Sequence, residues 1–185
     1  MIDFYIIDNS WTLFLDRDGV INKEKKADYI RSAEEFEFYP ETLEAIKIFA
    51  KTFNRIIIVT NQKGIGKKLM TVDDIDSIHN HMIQAIISNG GKVDKIYYCS
   101  DLEDTSPNRK PNAGMAFQAK TDFPEIDFSK SIIVGNKLTD MQFGRNAKMK
   151  TVFVATTNPE TPFPHLLIDE RVSNLLELAC KFKTV

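Results

Sequence analysis

Residues 55–60 read Arg-Ile-Ile-Ile-Val-Thr, four consecutive aliphatic side chains between a cation and a hydroxyl. A strand with one face in water alternates apolar and polar residues. An unbroken aliphatic run belongs instead to a strand covered on both faces, the usual situation in a parallel sheet. Ile132-Ile133-Val134 repeats the pattern, and β-rich runs at residues 11–15, 95–99 and 151–154 bring the expected strands to five.

Helix-like stretches separate these runs. Leu43, Ile46, Phe49 and Ala50 form a stripe behind Pro40, which is expected in the first turn. Thr71 is expected to cap a helix in which Val72, Ile75, Ile78, Met82 and Ile86 recur every three or four residues. Asp73, Asp74 and Asp76 lie near its positive end, and Gly90-Gly91 comes after it. Pro111 opens another candidate carrying Met115 and Ala119, and residues 137–147 and 172–182 complete the set. Strands alternating with helices predict an α/β fold. Its sheet is mainly parallel, of about five strands, with helices on both faces and right-handed crossovers.

The chain length of 185 suits one domain, residues 1–185, with a sizeable core. Lys and Arg number 24 against 26 Asp and Glu, a net charge of −2, so no basic excess points to nucleic acid or a membrane surface. The apolar runs fall far short of the roughly 20 residues that span a bilayer, and Met1-Ile-Asp-Phe-Tyr does not open like a secretory leader. Cys99 and Cys180 form no disulfide framework, and Cys99, at a strand end, is expected to be structural. A reduced, cytoplasmic monomer is the expectation.

In parallel sheets of this kind, ligands bind beyond the carboxyl ends of the strands. The segments after the expected strands are rich in chemistry. They read Asp16-Arg-Asp18-Gly19, then Thr60-Asn61-Gln62 with Lys63-Gly-Ile-Gly66, then Arg109-Lys110-Pro111, then Gly135-Asn136-Lys137 with Asp140. Three carboxylates among other oxygen donors suit a hard cation such as Mg²⁺; a hydroxyl, an amide and two lysines suit a phosphate. Asp16 is the candidate nucleophile and Asp18 the proton carrier, with Gly19 letting the chain turn sharply away.

The segments FLDRDGVIN, VTNQKGIG, RKPNAGM and IVGNKLTDM, in that order over residues 11–155, resemble the motifs of the haloacid dehalogenase superfamily. The branch they most resemble contains heptose-bisphosphate and histidinol-phosphate phosphatases. The resemblance implies a Rossmann-like core without a large cap domain, and Mg²⁺-dependent hydrolysis of a small-molecule phosphate ester through an aspartyl-phosphate. It also implies roles: Asp16 as nucleophile and metal ligand, Asp18 as acid/base and carbonyl ligand to the metal, and Lys110 as the neutralising cation. Thr60 and Asn61 hold the phosphoryl group, Arg109 meets the non-reacting end of the substrate, Asn136 takes the metal-ligand position beside Lys137, and Asp140 supports the loop or joins the metal.

Two departures stand out. Gly135-Asn136-Lys137 replaces the usual Gly-Asp-Lys, removing a negative charge from the metal site and raising a weakly active or non-catalytic phosphate binder as the alternative. The segment CSDLEDTSPNRK keeps only Cys99 where many members of the branch carry a zinc loop, and one thiolate makes no tetrahedral site, so no zinc is expected. His79 and His81, two apart on a helix, point to different faces and are expected to be ordinary surface or partly buried residues. Arg17 is expected to be a solvated or structural side chain. Lys63, Lys67 and Lys68 either guide an anion or form a solvated basic face.

Overall fold

The computed structural model describes residues 2–182. Strands and helices alternate along the chain: β1 (Thr12–Leu15), α1 (Thr42–Thr52), β2 (Arg55–Asn61), the single turn α2 (Lys63–Gly66), α3 (Val72–Ser88), β3 (Lys95–Cys99) and α4 (Gly114–Asp122). Next come β4 (Ser131–Gly135), α5 (Leu138–Asn146), β5 (Lys150–Val154), β6 (Glu170–Val172) and α6 (Leu175–Ala179). All pairings are parallel, in the order β3-β2-β1-β4-β5-β6. The chain therefore starts in the middle and winds outward twice, which opens a crevice at the carboxyl end of β1, where the direction reverses.

The aliphatic runs do what their lack of alternation predicts. Leu13, Leu15, Ile56, Ile58, Ile132 and Val134 pack with the apolar faces of α1, α3 and α6. Phe14, Ile57, Val59 and Ile133, the alternate residues, pack on the other side with Met115, Ala116 and Ala119 of α4 and Phe143 of α5. Both sheet faces are buried, so a polar residue at any of these positions would have no water to face. α3 begins as its sequence indicates. The Thr71 hydroxyl accepts from the Asp74 N–H at 3.1 Å, and the Asp74 carboxylate accepts from the Thr71 N–H at 2.7 Å.

Three details differ from the sequence expectation. The sheet has six strands among the described residues, because Glu170–Val172 pairs with β5 where the C-terminal helix was expected to begin. A three-residue edge strand carrying two charges has no apolar run to announce it. α4 starts at Gly114, three residues after Pro111, because residues 107–114 close a turn through the Gly114 N–H to the Pro107 carbonyl at 2.9 Å. Pro40 precedes α1 rather than entering it; Glu41, at φ +64°, turns the chain into Thr42. Residues 22–41, between β1 and α1, contain one turn of 3-10 helix, Ala33–Glu35, and form a wall of the crevice rather than a separate lid. Among the described residues no helix is long and apolar enough to cross a membrane.

Candidate active site

Parallel strands deliver their carboxyl ends to one edge, and there the chain leaves a cavity of about 540 Å³ lined by Asp16, Asp18, Thr60, Asn61, Lys110 and Asp140, among others. Lys110 ties the floor together. Its ammonium lies 2.8 Å from Asp16 Oδ1, 2.7 Å from Asp140 Oδ1 and 2.8 Å from the Val59 carbonyl, so all three of its protons have acceptors. Lys110 is 3% exposed, Asp16 6% and Asp140 1%. One cation thus serves two buried carboxylates.

That imbalance shows in the proton affinities. Burial pushes the Asp16 carboxyl up from 3.8 to about 6; Lys110 pulls it down, while Asp140 and Asp18 push it further up. Burial also disfavours the Lys110 charge, but Asp140 and Asp16 outweigh it and hold its pKa above the ordinary value. The Asp16 contacts to the Arg17 N–H, at 2.8 Å, and to Lys110 both fall on Oδ1; Oδ2 carries neither.

Asp18, with its side chain 24% exposed, reaches into the same cavity in a different setting. Its oxygens accept from Arg17 Nη2 at 2.8 and 3.0 Å, from Asn22 Nδ2 at 2.9 Å and from Gln62 Nε2 at 2.8 Å. Burial works against the carboxylate, but Arg17 and the two amides win, and its pKa lies below the ordinary value. Arg17 is therefore not solvated. It is completely buried, and its Nη1 lies 3.2 Å from His79 Nε2 on α3. His79 in turn is buried rather than on the surface. Its pKa is pushed down to about 3, by burial first and the Arg17 charge second, so the ring is neutral and accepts from the guanidinium.

Gln62, Asn22, Arg17 and His79 are the site residues that sequence reasoning left without a role. Gln62 carried a readable signal: it stands two residues after Thr60 and donates to the Thr60 hydroxyl at 2.8 Å as well as to Asp18. The Arg17–His79 contact spans 62 residues and had no local signal.

Thr60 is buried at the end of β2. Asn61 pairs with the backbone of Lys110 in both directions at 3.0 Å, so it positions the lysine segment as well as facing the cavity. Lys137 lines the cavity with its ammonium 2.7 Å from Glu24, and its N–H donates to Asp140 Oδ2 at 3.0 Å. Gly135 permits that fold-back, since a Cβ there would lie 2.2 Å from the Asp140 Cβ. Arg109 and Lys63 also line the cavity, both on Asp104. Lys67 and Lys68 are exposed outside the lining.

Asn136 is fully buried behind Gly19 and is not part of the cavity wall. Gly19 adopts φ +86°, and a Cβ on it would lie 2.0 Å from Asn136 Nδ2, so this approach requires glycine. The amide donates to Thr157 Oγ1 at 2.6 Å, and the backbone carbonyl accepts from Asn158 Nδ2 at 2.9 Å. Asn136 Oδ1 is buried without a partner. Cys99 is buried and packs its sulfur 3.8 Å from the Ser106 hydroxyl.

Among the described residues no three His, Cys, Asp or Glu side chains converge as a ready-made metal site. The Asp16 carboxylate and the unpartnered Asn136 oxygen are nonetheless hard oxygen donors. Supplemented by backbone carbonyl and water, such a set suits Mg²⁺, which commonly keeps one or two carboxylates and several waters.

Residues 12–156 match the model of the polynucleotide kinase 3 phosphatase family. The D-glycero-alpha-D-manno-heptose-1,7-bisphosphate 7-phosphatase of Campylobacter jejuni is 39% identical over 142 residues, covering 77% of this chain and 80% of the relative. The D-glycero-beta-D-manno-heptose-1,7-bisphosphate 7-phosphatase of Escherichia coli is 31% identical, covering 90% of each chain. A crystal structure of the D,D-heptose 1,7-bisphosphate phosphatase of B. bronchiseptica, complexed with magnesium and phosphate, superposes with a TM-score of 0.83 at 26% identity, covering 92% of this chain and 97% of that one. The strand order, the four segments gathered at one sheet edge and these similarities lead to the same place: the chain belongs to the haloacid dehalogenase superfamily, in the branch of the heptose-1,7-bisphosphate phosphatases.

Proposed function

We propose that this chain is a Mg²⁺-dependent phosphatase, formed as one domain over residues 1–185, that removes one phosphate from a small sugar bisphosphate of the heptose-1,7-bisphosphate type. The observation that carries the reading is the Lys110 ammonium held between Asp16 and Asp140 at the sheet edge. A carboxylate repels a phosphate dianion, and this arrangement puts positive charge where the two meet.

Asp16, Asn136 Oδ1 and the Asp18 carbonyl are the donors that would hold Mg²⁺, with Asp140 as the further candidate. When bound, the ion neutralises charge between the carboxylate and the phosphoryl oxygens. Thr60, Asn61, Lys110 and Lys137 bind and orient the phosphoryl group. An oxygen of Asp16 forms a bond to phosphorus, the ester P–O bond breaks, and the leaving oxygen takes a proton from Asp18. Water then attacks phosphorus and gives a proton to Asp18, and the Asp16–phosphorus bond breaks to release inorganic phosphate. In the resting arrangement Asp18 is an ionised acceptor clamped by Arg17. A phosphate dianion arriving beside it raises its proton affinity, and its partial exposure leaves it room to turn toward the leaving group.

Arg109 would meet the non-reacting end of the substrate. The segment after β3 is braced by Asn112 Nδ2, which donates to the Asp104 and Ser106 carbonyls at 3.1 and 2.8 Å; this supports a zinc-free loop. The net charge of −2 and the acid partners of Lys63, Arg109 and Lys137 support a compact ester rather than nucleic acid as the substrate.

The test is phosphate release with Mg²⁺ from heptose 1,7-bisphosphate, histidinol phosphate and other sugar phosphates, comparing the protein with Asp16→Asn. Bisphosphate turnover abolished by the substitution is expected; turnover that survives it refutes the nucleophile. Asn136 favours one second reading, a phosphate binder with poor metal affinity. A near-inactive parent restored by Asn136→Asp would establish that instead.

A further inference from the structure

Beside the Asp16–Lys110–Asp140 floor the cavity holds a second charged group, built from the start of α2 and the loop after β3. Lys63, just after β2, and Arg109, in the loop after β3, both contact one carboxylate, Asp104: Lys63 Nζ lies 3.1 Å and Arg109 Nε 2.9 Å from the same oxygen, Oδ1. All three residues line the cavity that contains Asp16. The cations and the anion are held very differently. The Lys63 and Arg109 side chains are 26% and 14% exposed, while that of Asp104 is 82% exposed. The Asp104 backbone is anchored through its carbonyl to Asn112 Nδ2 at 3.1 Å, so the side chain is free to swing on a fixed stem. Arg109 uses only Nε on Asp104, and its Nη1 is buried without a partner, leaving donor capacity on the guanidinium.

We propose that Asp104 is a specificity residue: its carboxylate rests on a two-cation clamp that receives the distal anion of the substrate, and must be displaced for that anion to bind. This rests on the sugar-bisphosphate reading and deepens it. A phosphate, with more charge and more acceptor oxygens than a carboxylate, outcompetes Asp104 on a fork-shaped guanidinium. A monoester with no distal anion leaves Asp104 in place. The same competition acts on the product, which keeps its distal phosphate after hydrolysis, so Asp104 also favours release. An exposed ion pair of this kind is weak enough to exchange and strong enough to shift affinity about fivefold.

The experiment is steady-state hydrolysis with Mg²⁺ of heptose 1,7-bisphosphate and of heptose 7-phosphate, for the parent, Asp104→Asn and the neighbouring exposed Glu103→Gln. Asp104→Asn is expected to lower KM for the bisphosphate about fivefold, to leave KM for the monophosphate within twofold, and to strengthen inhibition by heptose 1-phosphate. Glu103→Gln is expected to change neither. An unchanged or raised bisphosphate KM overturns the assignment, as does an equal change for both esters or an equal effect of Glu103→Gln, which would mark general charge. Failure of the parent to hydrolyse either ester overturns the phosphatase reading, and the clamp assignment with it; hydrolysis with an indifferent Asp104 overturns the clamp assignment alone.

Discussion

Replacing Asp16 with Asn should stabilise the metal-free protein, and more so as pH rises. In the folded chain the Asp16 carboxyl is raised from 3.8 to about 6, chiefly by burial, with Lys110 pulling it down and Asp140, which shares that ammonium, pushing it further up. Between those two values the folded state keeps a proton that the unfolded state has released. Stability therefore falls as pH rises through this window, and above pH 6 the whole cost is present. At 1.36 kcal/mol per pH unit that cost is about 3 kcal/mol at pH 8, and about half as much at pH 5. Asn has the shape of the protonated acid, carries no charge, and leaves Lys110 paired with Asp140. Urea unfolding in a chelator should therefore show Asp16→Asn more stable than the parent by about 1–3 kcal/mol at pH 8, the gap narrowing to about half of that at pH 5. Comparing the two proteins at each pH cancels the titrating groups that do not face Asp16. Added Mg²⁺ should close the gap by stabilising the parent and not the variant. A variant less stable than the parent at pH 8, or a gap independent of pH, would refute the claim that one cation serves two buried acids.

Lys110→Met removes the shared cation and should cost about 3–5 kcal/mol at pH 8, less at pH 5 where Asp16 takes a proton, as measured by the same unfolding curves. His79, lowered from 6.5 to about 3, contributes stability that is complete above pH 6.5 and lost as pH falls through that window; His79→Gln should remove about 2 kcal/mol of the parent's loss between pH 7.5 and pH 5. Asn136→Asp should tighten Mg²⁺ binding on the order of tenfold by calorimetry, because ligand charge sets affinity, while lowering the stability of the metal-free protein.

The parallel sheet was legible because burial on both faces leaves a local mark: Ile56–Val59 and Ile132–Val134 lack the alternation of a half-wet strand, and their residues divide between the two cores in strict turn. The gathering of Asp16, Thr60, Lys110 and Asp140 was legible for a related reason. Parallel strands end at the same edge, so the residues just past each strand in sequence become neighbours in space. β6 was hidden, since three residues with two charges carry no period.

The chain's order of apolar runs and polar strand ends was enough to determine the α/β architecture, the rim that carries the chemistry and the acids at its centre. Which partner each charge takes was decided only by the folded packing. Arg17 turns inward to His79, Asn136 lies behind Gly19 off the cavity wall, and Asp104 spans Lys63 and Arg109. Backbone direction follows from local periodicity, whereas the depth of a side chain and the charge it meets depend on how closely segments tens of residues apart approach, a distance set by the packing of the whole core.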